Sequence, residues 1–403
     1  MKRTRWLYAV ALTAGLLVST GAFASDEASH HHRALVRARQ KFFGIENVNS
    51  ETGQVRQDRV IFSWLTNTTY AVSLKGKVFL LDSYINRLEI DPGRTPLVIQ
   101  DVVDLRPGAI LLGHGHGDHA DNAAYLAGIL NIKIYTTPET CDVMQMDAAR
   151  IFGQGSTVDC VGVVSRESPP GAEIVTLDFL EPLASVTVFK HIHSGRVPTD
   201  PTIPFTPVDN IADPRDPDMF PLGTPLYTVL DLRTTGFGGT AGPISLFYQF
   251  VLREEPHFTF IWHNTTGPLR EQGPELFDIM DALPKTDVEL GSIVSLGYDT
   301  NGVRDAVLYN VHILPKIYIP GHQTDVALPS SSLEWKVSYL RTLDAMQIPP
   351  NQRPEIRWVV DPNDYLRPLV YDPRNSRWRS NGGGRRVIGT TPATPSAAQV
   401  ERD

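Results

Sequence analysis

Cysteine is scarce in this chain: only Cys141 and Cys160 occur in 403 residues. Their separation does not match the paired spacing of cysteine-based zinc sites, so a zinc-finger type of domain is excluded. The two residues could form one disulfide in an oxidising compartment, or they could remain two structural thiols. The sequence leaves both possibilities open.

Basic runs and long apolar runs are also missing from most of the chain. The formal net charge is −8 at pH 7, and an acidic chain without a lysine- or arginine-rich stretch is poorly suited to nucleic acid or to anionic lipid. We therefore expect a small-molecule substrate and no nucleic-acid partner. After residue 24 no segment is apolar over the length that a bilayer requires. The oligomeric state cannot be inferred from these features.

The one long apolar run lies at the beginning, over residues 6–23, and follows Lys2, Arg3 and Arg5. Basic residues, an apolar stretch and small residues before a cleavage point are the pattern of a signal peptide. We expect cleavage after Ala24 and export to the periplasm or the medium, with no stable membrane insertion afterwards. An uncleaved anchor is the alternative, although glycine, serine and threonine dilute the run.

Hydrophobic patterning between residues 60 and 346 alternates between strand and helix character, which predicts an α/β protein with two sheets and helices outside them. The apolar residues Leu333, Val337, Leu340 and Leu343 predict one buried face of the last helix. One predicted helix begins at residue 120. Four others cover 138–152, 274–282, 302–314 and 332–346. Predicted strands cover 60–65, 70–74, 78–82, 104–112, 133–136, 174–177, 186–193, 226–232, 244–252, 257–262 and 316–320.

A cluster of metal-type side chains follows the predicted strand that ends at Leu112. Glycine stands at every second position from 113 to 117, which predicts a loop free to adopt unusual backbone angles before a helix that starts at Ala120. Imidazoles and a carboxylate at such close quarters are suitable ligands for a borderline metal such as zinc. The cluster consists of His114, His116, Asp118 and His119.

The spacing His-x-His-x-Asp-His after a strand resembles the signature of the metallo-β-lactamase superfamily, and the order of elements from about residue 55 to 345 is similar as well. The resemblance implies a four-layer αβ/βα sandwich with one or two zinc ions at one edge. It also implies two ligand sets. These are His114 and His116 with His193 for the first ion, and Asp118 and His119 with His322 for the second.

The third histidine of the first set has two candidates, because His191 and His193 lie on the same face of one predicted strand. His193 is favoured, since His193-Ser194-Gly195-Arg196 resembles a segment of the branch containing the ascorbate-phosphate lactonases and the N-acylphosphatidylethanolamine-hydrolysing phospholipase D. One residue of that segment is missing here, so either histidine remains possible.

The segment 258–267 resembles the stretch that supplies a bridging aspartate in this superfamily, but Asn264 stands at the aspartate's position. An amide cannot carry the charge that holds two dications together, so one or two metals are possible. The adjacent His263 could be a compensating ligand or a core residue. Asp82 and Asp121 are candidates for holding the second nitrogens of the ligating histidines.

The resemblance implies an exported hydrolase that uses a zinc-activated water on an ester, lactone, amide or phosphodiester bond, with Asp118 orienting the water and accepting its proton. Two other functions stay open. The chain could be a true β-lactamase, or a non-enzymatic metal-binding recognition protein on the same fold.

The expected organisation has four segments: a signal peptide at 1–24, a polar segment at 25–54, the hydrolase domain at 55–378 and a disordered tail at 379–403. The polar segment contains His30-His31-His32 and is expected to be solvated and partly disordered. Residues 196–223 and 235–248 are expected to line the substrate site, and residues 298–300 could also reach it.

Overall fold

A computed structural model describes residues 29–85, 97–195, 200–203, 244–293, 301–323, 329–360 and 363–379, and the strands in these ranges form two seven-stranded sheets. The first sheet contains, in spatial order, Pro368–Tyr371 (β14), Val60–Thr66 (β1), Thr69–Leu74 (β2), Lys77–Leu81 (β3), Ala109–Leu111 (β4), Lys133–Thr136 (β5) and Cys160–Gly162 (β6). The second contains Glu355–Ile356 (β13), Ile317–Gly321 (β12), Val288–Ser292 (β11), Thr259–His263 (β10), Ile244–Leu252 (β9), Ala184–Ile192 (β8) and Ile174–Leu177 (β7).

Helices connect and cover these strands. They are residues 29–43 (α1), Ile99–Leu105 (α2), Gly117–Ala120 (α3), Ala123–Leu130 (α4), Pro138–Phe152 (α5), Leu269–Gln272 (α6), Glu275–Ala282 (α7), Arg304–Ile313 (α8) and Pro329–Ala345 (α9). Short 3-10 turns occupy Ile45–Asn47, Pro350–Gln352 and Ser376–Trp378.

The main core lies between the two sheets. Phe62 on β1 meets Phe260 on β10 edge to face at 5.0 Å between ring centroids. Phe79 on β3 stacks on Phe250 of β9 at 5.7 Å. Burying one such side chain contributes about 1.5–3 kcal/mol. Strands that are covered on both faces bury residues at every position, which explains why β1 and β2 read as continuous rather than alternating apolar runs.

Helices cover the outer face of each sheet. On the second sheet, Val307 of α8 and Trp335 and Tyr339 of α9 pack on Tyr318 of β12. On the first sheet, buried residues of α2, α4 and α5 join the main core. The expected four-layer αβ/βα sandwich is therefore confirmed.

Strand direction gathers several loops at one edge of the sandwich. β3, β4 and β5 run parallel, as do β10, β11 and β12, so their carboxyl ends lie together within each sheet. β8 runs antiparallel to β9, and β9 to β10, which brings the end of β8 to the same edge as the end of β10. Because β2 runs antiparallel to β3, the turn between β1 and β2 also lies there.

Several predicted elements are confirmed. The helix 138–152 has the predicted ends, and the hydroxyl of Thr137 accepts the amide of Thr140 at its start. The strands 174–177 and 244–252 also have the predicted bounds.

Three predictions are wrong. Residues 104–112 are not one strand, because α2 continues to Leu105 and only Ala109–Leu111 is extended. Residues 29–43 are helical rather than disordered, since Phe42 and Phe43 are fully buried in the main core. On α9 the buried face contains Trp335 and Tyr339, whereas Leu333 is 62% exposed. Leu343 is buried in the same cluster as these two aromatic rings, so the predicted face is right at Leu343 and wrong at Leu333 and Leu340.

The disulfide question is decided by the structure. Cys141 on α5 and Cys160 on β6 are bonded to each other, which ties a covering helix to the edge strand of the first sheet.

Some predictions lie outside the described residues. These are the signal peptide 1–24, the strand 226–232, the loops 196–199, 204–223, 235–243 and 298–300, and the tail from residue 380. Of the helices in the described ranges, none combines the length and apolarity needed to cross a membrane.

Candidate metal centre

The histidine cluster is formed by chain segments that leave the strands at the common edge. The segment 113–119 follows β4, His193 follows β8, and His322 follows β12. The two sheets meet here directly, since the amide of Leu246 donates to the carbonyl of Gly113 at 2.7 Å and that of His322 to Asn67 at 3.2 Å. The segments are thus held by backbone contacts between the sheets.

The first ligand set contains three imidazoles. One ligand atom from each of His114, His116 and His193 lies within 4.8 Å of the others. His114 Nε2 and His116 Nδ1 are 3.1 Å apart. His193 Nδ1 donates to the carbonyl of Ser194 at 2.8 Å, which leaves its Nε2 lone pair for the cluster. The structure therefore brings His193, and not His191, to the predicted first set.

The second set combines a carboxylate with two imidazoles. Asp118 Oδ2 lies 3.3 Å from His119 Nε2 and 3.2 Å from His322 Nε2. The two ring nitrogens are 3.1 Å apart. Asp118 and His119 lie on the single turn of α3, with His116 as the residue before it. This turn starts three residues earlier than the predicted helix, and it directs both side chains to the same place.

Asp82 is the buried anion behind both sets. Its Oδ2 accepts His119 Nδ1 at 2.7 Å, and its two oxygens accept Asn264 Nδ2 at 3.0 Å. The amide of Gly113 and the hydroxyl of Thr68 also donate to it, at 3.1 and 3.2 Å. A fully buried carboxylate requires such partners. Of the two carboxylates predicted to hold histidines of the cluster, Asp82 holds His119.

Asn264 is not placed between the two sets as a bridge. Because its Nδ2 donates to Asp82, its Oδ1 faces His114 Nδ1 at 2.8 Å and accepts that proton. His114 then directs its Nε2 lone pair into the first set. Asn264 was expected at the position of a bridging aspartate, and in the structure its amide instead orients His114 through a hydrogen bond to Nδ1.

Gly113 is required for its small size, and the expected unusual backbone angles are not found at the glycines of the motif. None of Gly113, Gly115 and Gly117 has a positive φ. A Cβ at Gly113 would lie 2.2 Å from the side-chain carbon of Asn264, so glycine is required for the close approach of that amide.

Two residues of the turn between β1 and β2 contribute contacts that the sequence did not predict. Asn67 Nδ2 donates to the carbonyl and to Oδ2 of Asp118, both at 3.2 Å. Thr68 holds Asp82, as described above. The only sequence signal for them is a short polar turn, Thr66-Asn67-Thr68-Thr69, between two apolar strands.

His191 and His263 are both buried away from the cluster. His191 Nδ1 lies 2.8 Å from the hydroxyl of Tyr309. The ring of His263 stacks with those of Phe247 and Tyr309, and His263 pairs with Glu289 at 3.0 Å. His263 is therefore a core residue, and its proposed role as a compensating ligand is wrong. Neighbouring side chains on a strand point to opposite faces, so Asn264 faces the cluster and His263 does not.

The two sets differ in charge. Burial lowers the pKa of His114 well below its usual value and, with help from His116, lowers the pKa of His193 to about 4. Burial also lowers the pKa of His119, but the carboxylates of Asp118 and Asp82 outweigh it and raise the pKa to about 10. Burial would raise the pKa of Asp118, yet His119 and His322 hold it well below its usual value.

The donor chemistry fits a divalent metal. The first set presents neutral imidazole lone pairs to a common point, and the second set presents a carboxylate and imidazoles. Zinc and related borderline ions bind such donors.

Comparison with known proteins gives a likeness of fold only. No protein-family model and no curated protein sequence matches the chain. Among solved structures, the metallo hydrolase Igni18 from the archaeon Ignicoccus hospitalis is 11% identical over 78% of this chain and 98% of that one, with a TM-score of 0.46. Zinc-bound PqqB from Methylobacterium extorquens is 15% identical over 75% and 86% of the two chains, with a TM-score of 0.39.

A third similar structure has a different chemistry. CmlA, a diiron β-hydroxylase from Streptomyces venezuelae, is 11% identical over 78% of this chain and 54% of that one, with a TM-score of 0.40. At these identities and scores the likeness carries no argument about activity. The layer order agrees with the four-layer sandwich that the predicted resemblance implied, and the histidine cluster lies at one edge of it.

Proposed function

We propose that this protein is an exported metal-dependent hydrolase with a zinc-type centre at the common edge of the two sheets. The observation that carries the proposal is the convergence of two adjacent sets of metal-type donors, His114, His116 and His193 beside Asp118, His119 and His322. We assign these six residues as the metal ligands. Zinc bound by such donors supplies Lewis acidity, which makes water a nucleophile near neutral pH and polarises a carbonyl or phosphoryl oxygen.

The chain's own residues supply positioning and proton handling. Asp118 is 12% exposed at its side chain and ionised, so its carboxylate can orient a water and accept its proton. Asn67 holds this carboxylate from the opposite side through two hydrogen bonds. Asp82 keeps the Nδ1 proton on His119, and Asn264 keeps the Nδ1 proton on His114, so both rings direct Nε2 to the site.

A non-enzymatic metal-binding recognition protein on the same fold is the alternative, because no carboxylate stands at position 264. The hydrogen bonds of Asn264 to His114 and Asp82 hold the imidazole of His114 under either function, so the substrate panel separates the two. The cleavable bond is proposed to be an ester, lactone, amide or phosphodiester.

The deciding experiment combines metal analysis with a substrate panel. Elemental analysis of the purified protein, covering zinc, iron and manganese, identifies the metal. Activity is then measured on a nitrophenyl ester, a lactone, an anilide, bis-nitrophenyl phosphate and the β-lactam nitrocefin. We expect hydrolysis of one class in wild type and its loss in His116→Ala, with His31→Ala as the control because His31 is exposed on α1. Full activity of the metal-free protein or of His116→Ala would contradict the proposal.

Export is supported by the bond between Cys141 and Cys160, since disulfides persist mainly in oxidising compartments. Expression of the full chain followed by mass analysis of the product tests it. We expect the mature chain to begin at Ser25 in the periplasm or the medium. A cytoplasmic product that retains residues 1–24 would contradict export.

A further inference from the structure

A buried acid–histidine pair lies behind the metal centre and is not used by the proposed chemistry. His263 Nε2 lies 3.0 Å from Glu289 Oε1, and both side chains are fully buried. Glu289 Oε2 accepts Asn310 Nδ2 at 2.9 Å, and Tyr339 donates to Asn310 in turn. Burying these groups carries a free-energy cost unless every partner is present, so the pair calls for an explanation.

Hydrogen-bond roles define the state of this pair. His263 Nδ1 lies 3.0 Å from the carbonyl oxygen of Thr265, which can only accept, so Nδ1 carries a proton. His263 Nε2 and Glu289 Oε1 must then share a second proton, because two lone pairs would repel each other at 3.0 Å. Glu289 therefore keeps the ring in the form that donates to Thr265.

The surrounding backbone makes room for the pair. His263 on β10 is directly opposite Gly291 on β11. A Cβ at Gly291 would lie 2.6 Å from His263 Nε2 and 2.8 Å from Glu289 Oε1. The rings of Phe247 and Tyr309 both stack on the ring of His263, which restricts its orientation.

The turn held by His263 contacts two histidines of the first set. Asn264 accepts the Nδ1 proton of His114 at 2.8 Å. The hydroxyl of Thr265 accepts the amide of Ser194 at 3.0 Å, and the carbonyl of Ser194 accepts His193 Nδ1 at 2.8 Å. Residues 264 and 265 thus reach His114 and His193 from one short segment.

We infer that the buried Glu289–His263 pair is a positioning device: it fixes the turn 263–265, and through Asn264, Thr265 and Ser194 that turn sets the positions of His114 and His193 for metal binding. The inference rests on the proposed metal centre. It assigns a role to residues on β10 and β11 that do not touch the metal-type donors themselves. Contacts of this kind to metal ligands typically change metal affinity by about 10–100-fold.

The test uses Co²⁺ as a spectroscopic probe in a His322→Ala background, which leaves only the first set complete. Thr265→Val removes the hydroxyl that accepts the Ser194 amide and keeps the side-chain shape, while Thr265→Ser retains the hydroxyl. We expect Thr265→Val to weaken Co²⁺ binding about 10-fold and to alter the visible d–d spectrum, with Thr265→Ser like the parent. Thr265→Ala, which also lacks the hydroxyl, provides the same test in case the valine variant does not fold.

A second matched pair tests the buried carboxylate. Glu289→Gln can donate to His263 Nε2 and still accept from Asn310, so we expect it to keep the Co²⁺ affinity and spectrum. Glu289→Leu removes both contacts, and we expect a loss of about 10-fold or more. Unchanged Co²⁺ affinity and spectrum in every folded Thr265 and Glu289 variant would overturn the inference. Failure of the His322→Ala parent and of wild type to bind Co²⁺ would instead overturn the proposed metal centre.

Discussion

The two ligand sets are neighbours, yet they differ in how ready they are to receive a metal. His114, His116 and His193 have no carboxylate among them, and burial lowers their pKa values, so all three imidazoles are neutral at pH 7. In the second set His119 is protonated, since Asp118 and Asp82 raise its pKa to about 10. The second proton of His119 therefore supplies the positive charge that a metal ion would supply in this set. The imidazoles of the first set are therefore neutral because they are buried, whereas in the second set the positive charge of His119 is balanced by the carboxylates of Asp118 and Asp82.

The largest effect that separates the sets is expected from removal of one ligand in each. A structural zinc site binds with about 10–16 kcal/mol over its ligands, so loss of one ligand is expected to weaken its set about 100-fold or more. His193→Ala should lose the first metal and keep the second, and His322→Ala the reverse. Zinc stoichiometry after dialysis at fixed free zinc measures this. Loss of both metals in each variant would show that the sets are one cooperative site.

A change at Asn264 separates the structural from the sequence-based interpretation. Resemblance to the family suggests that Asn264→Asp restores a bridging carboxylate and strengthens metal binding. In the structure the new carboxylate would face both oxygens of Asp82, where the amide now donates at 3.0 Å. Like charges so close repel, so we expect zinc binding to the first set about 10-fold weaker and a lower melting temperature. Asn264→Asp with tighter zinc binding in calorimetric titration would restore the bridging interpretation.

Proton release upon metal binding measures the difference in charge between the two sets. Metal binding to the second set must displace the Nε2 proton of His119, because that histidine is charged below a pKa of about 10. Binding at pH 7 should release about one proton, and affinity should rise up to about 10-fold per pH unit until pH approaches 10. The first set should release almost none, since the pKa of His193 lies near 4.

Calorimetry in two buffers with different ionisation enthalpies measures the released protons. His193→Ala reports the second set and His322→Ala the first, so each variant is the control for the other. Equal proton release in both variants would remove the distinction drawn above.

The smallest effect on either set is expected from the disulfide. Cys141→Ala with Cys160→Ala opens a loop whose ends are 19 residues apart, which should lower the free energy of unfolding by about 3 kcal/mol. Denaturant titration measures that loss. Zinc affinity should not change, because the bond joins α5 to the edge strand β6 and both sets lie elsewhere. A variant with normal stability and weakened zinc binding would contradict this separation.

The local motif could be predicted from the sequence because its meaning is contained in a few adjacent residues. His-x-His-x-Asp-His behind an apolar strand specifies both the donors and the element that presents them, and the strand β12 followed by His322 is equally readable. Continuous apolar strands and amphipathic helices likewise predicted two covered sheets. What the sequence alone determined is therefore the fold class and the chemistry of the donors.

Only the tertiary structure decided which side chains support the donors. Asn67 and Glu289 are far from the motif in sequence, and no spacing connects them to it. Asp82 and Asp121 were both candidates in the sequence, and only the structure shows that Asp82 holds His119. The choice of His193 over His191 depended on where β8 ends, and the role of Asn264 depended on the buried charge of Asp82 beside it. The physical reason is that partners of a buried polar group are fixed by which strand ends meet at one edge of the sandwich, and this is a property of strand order and not of local sequence.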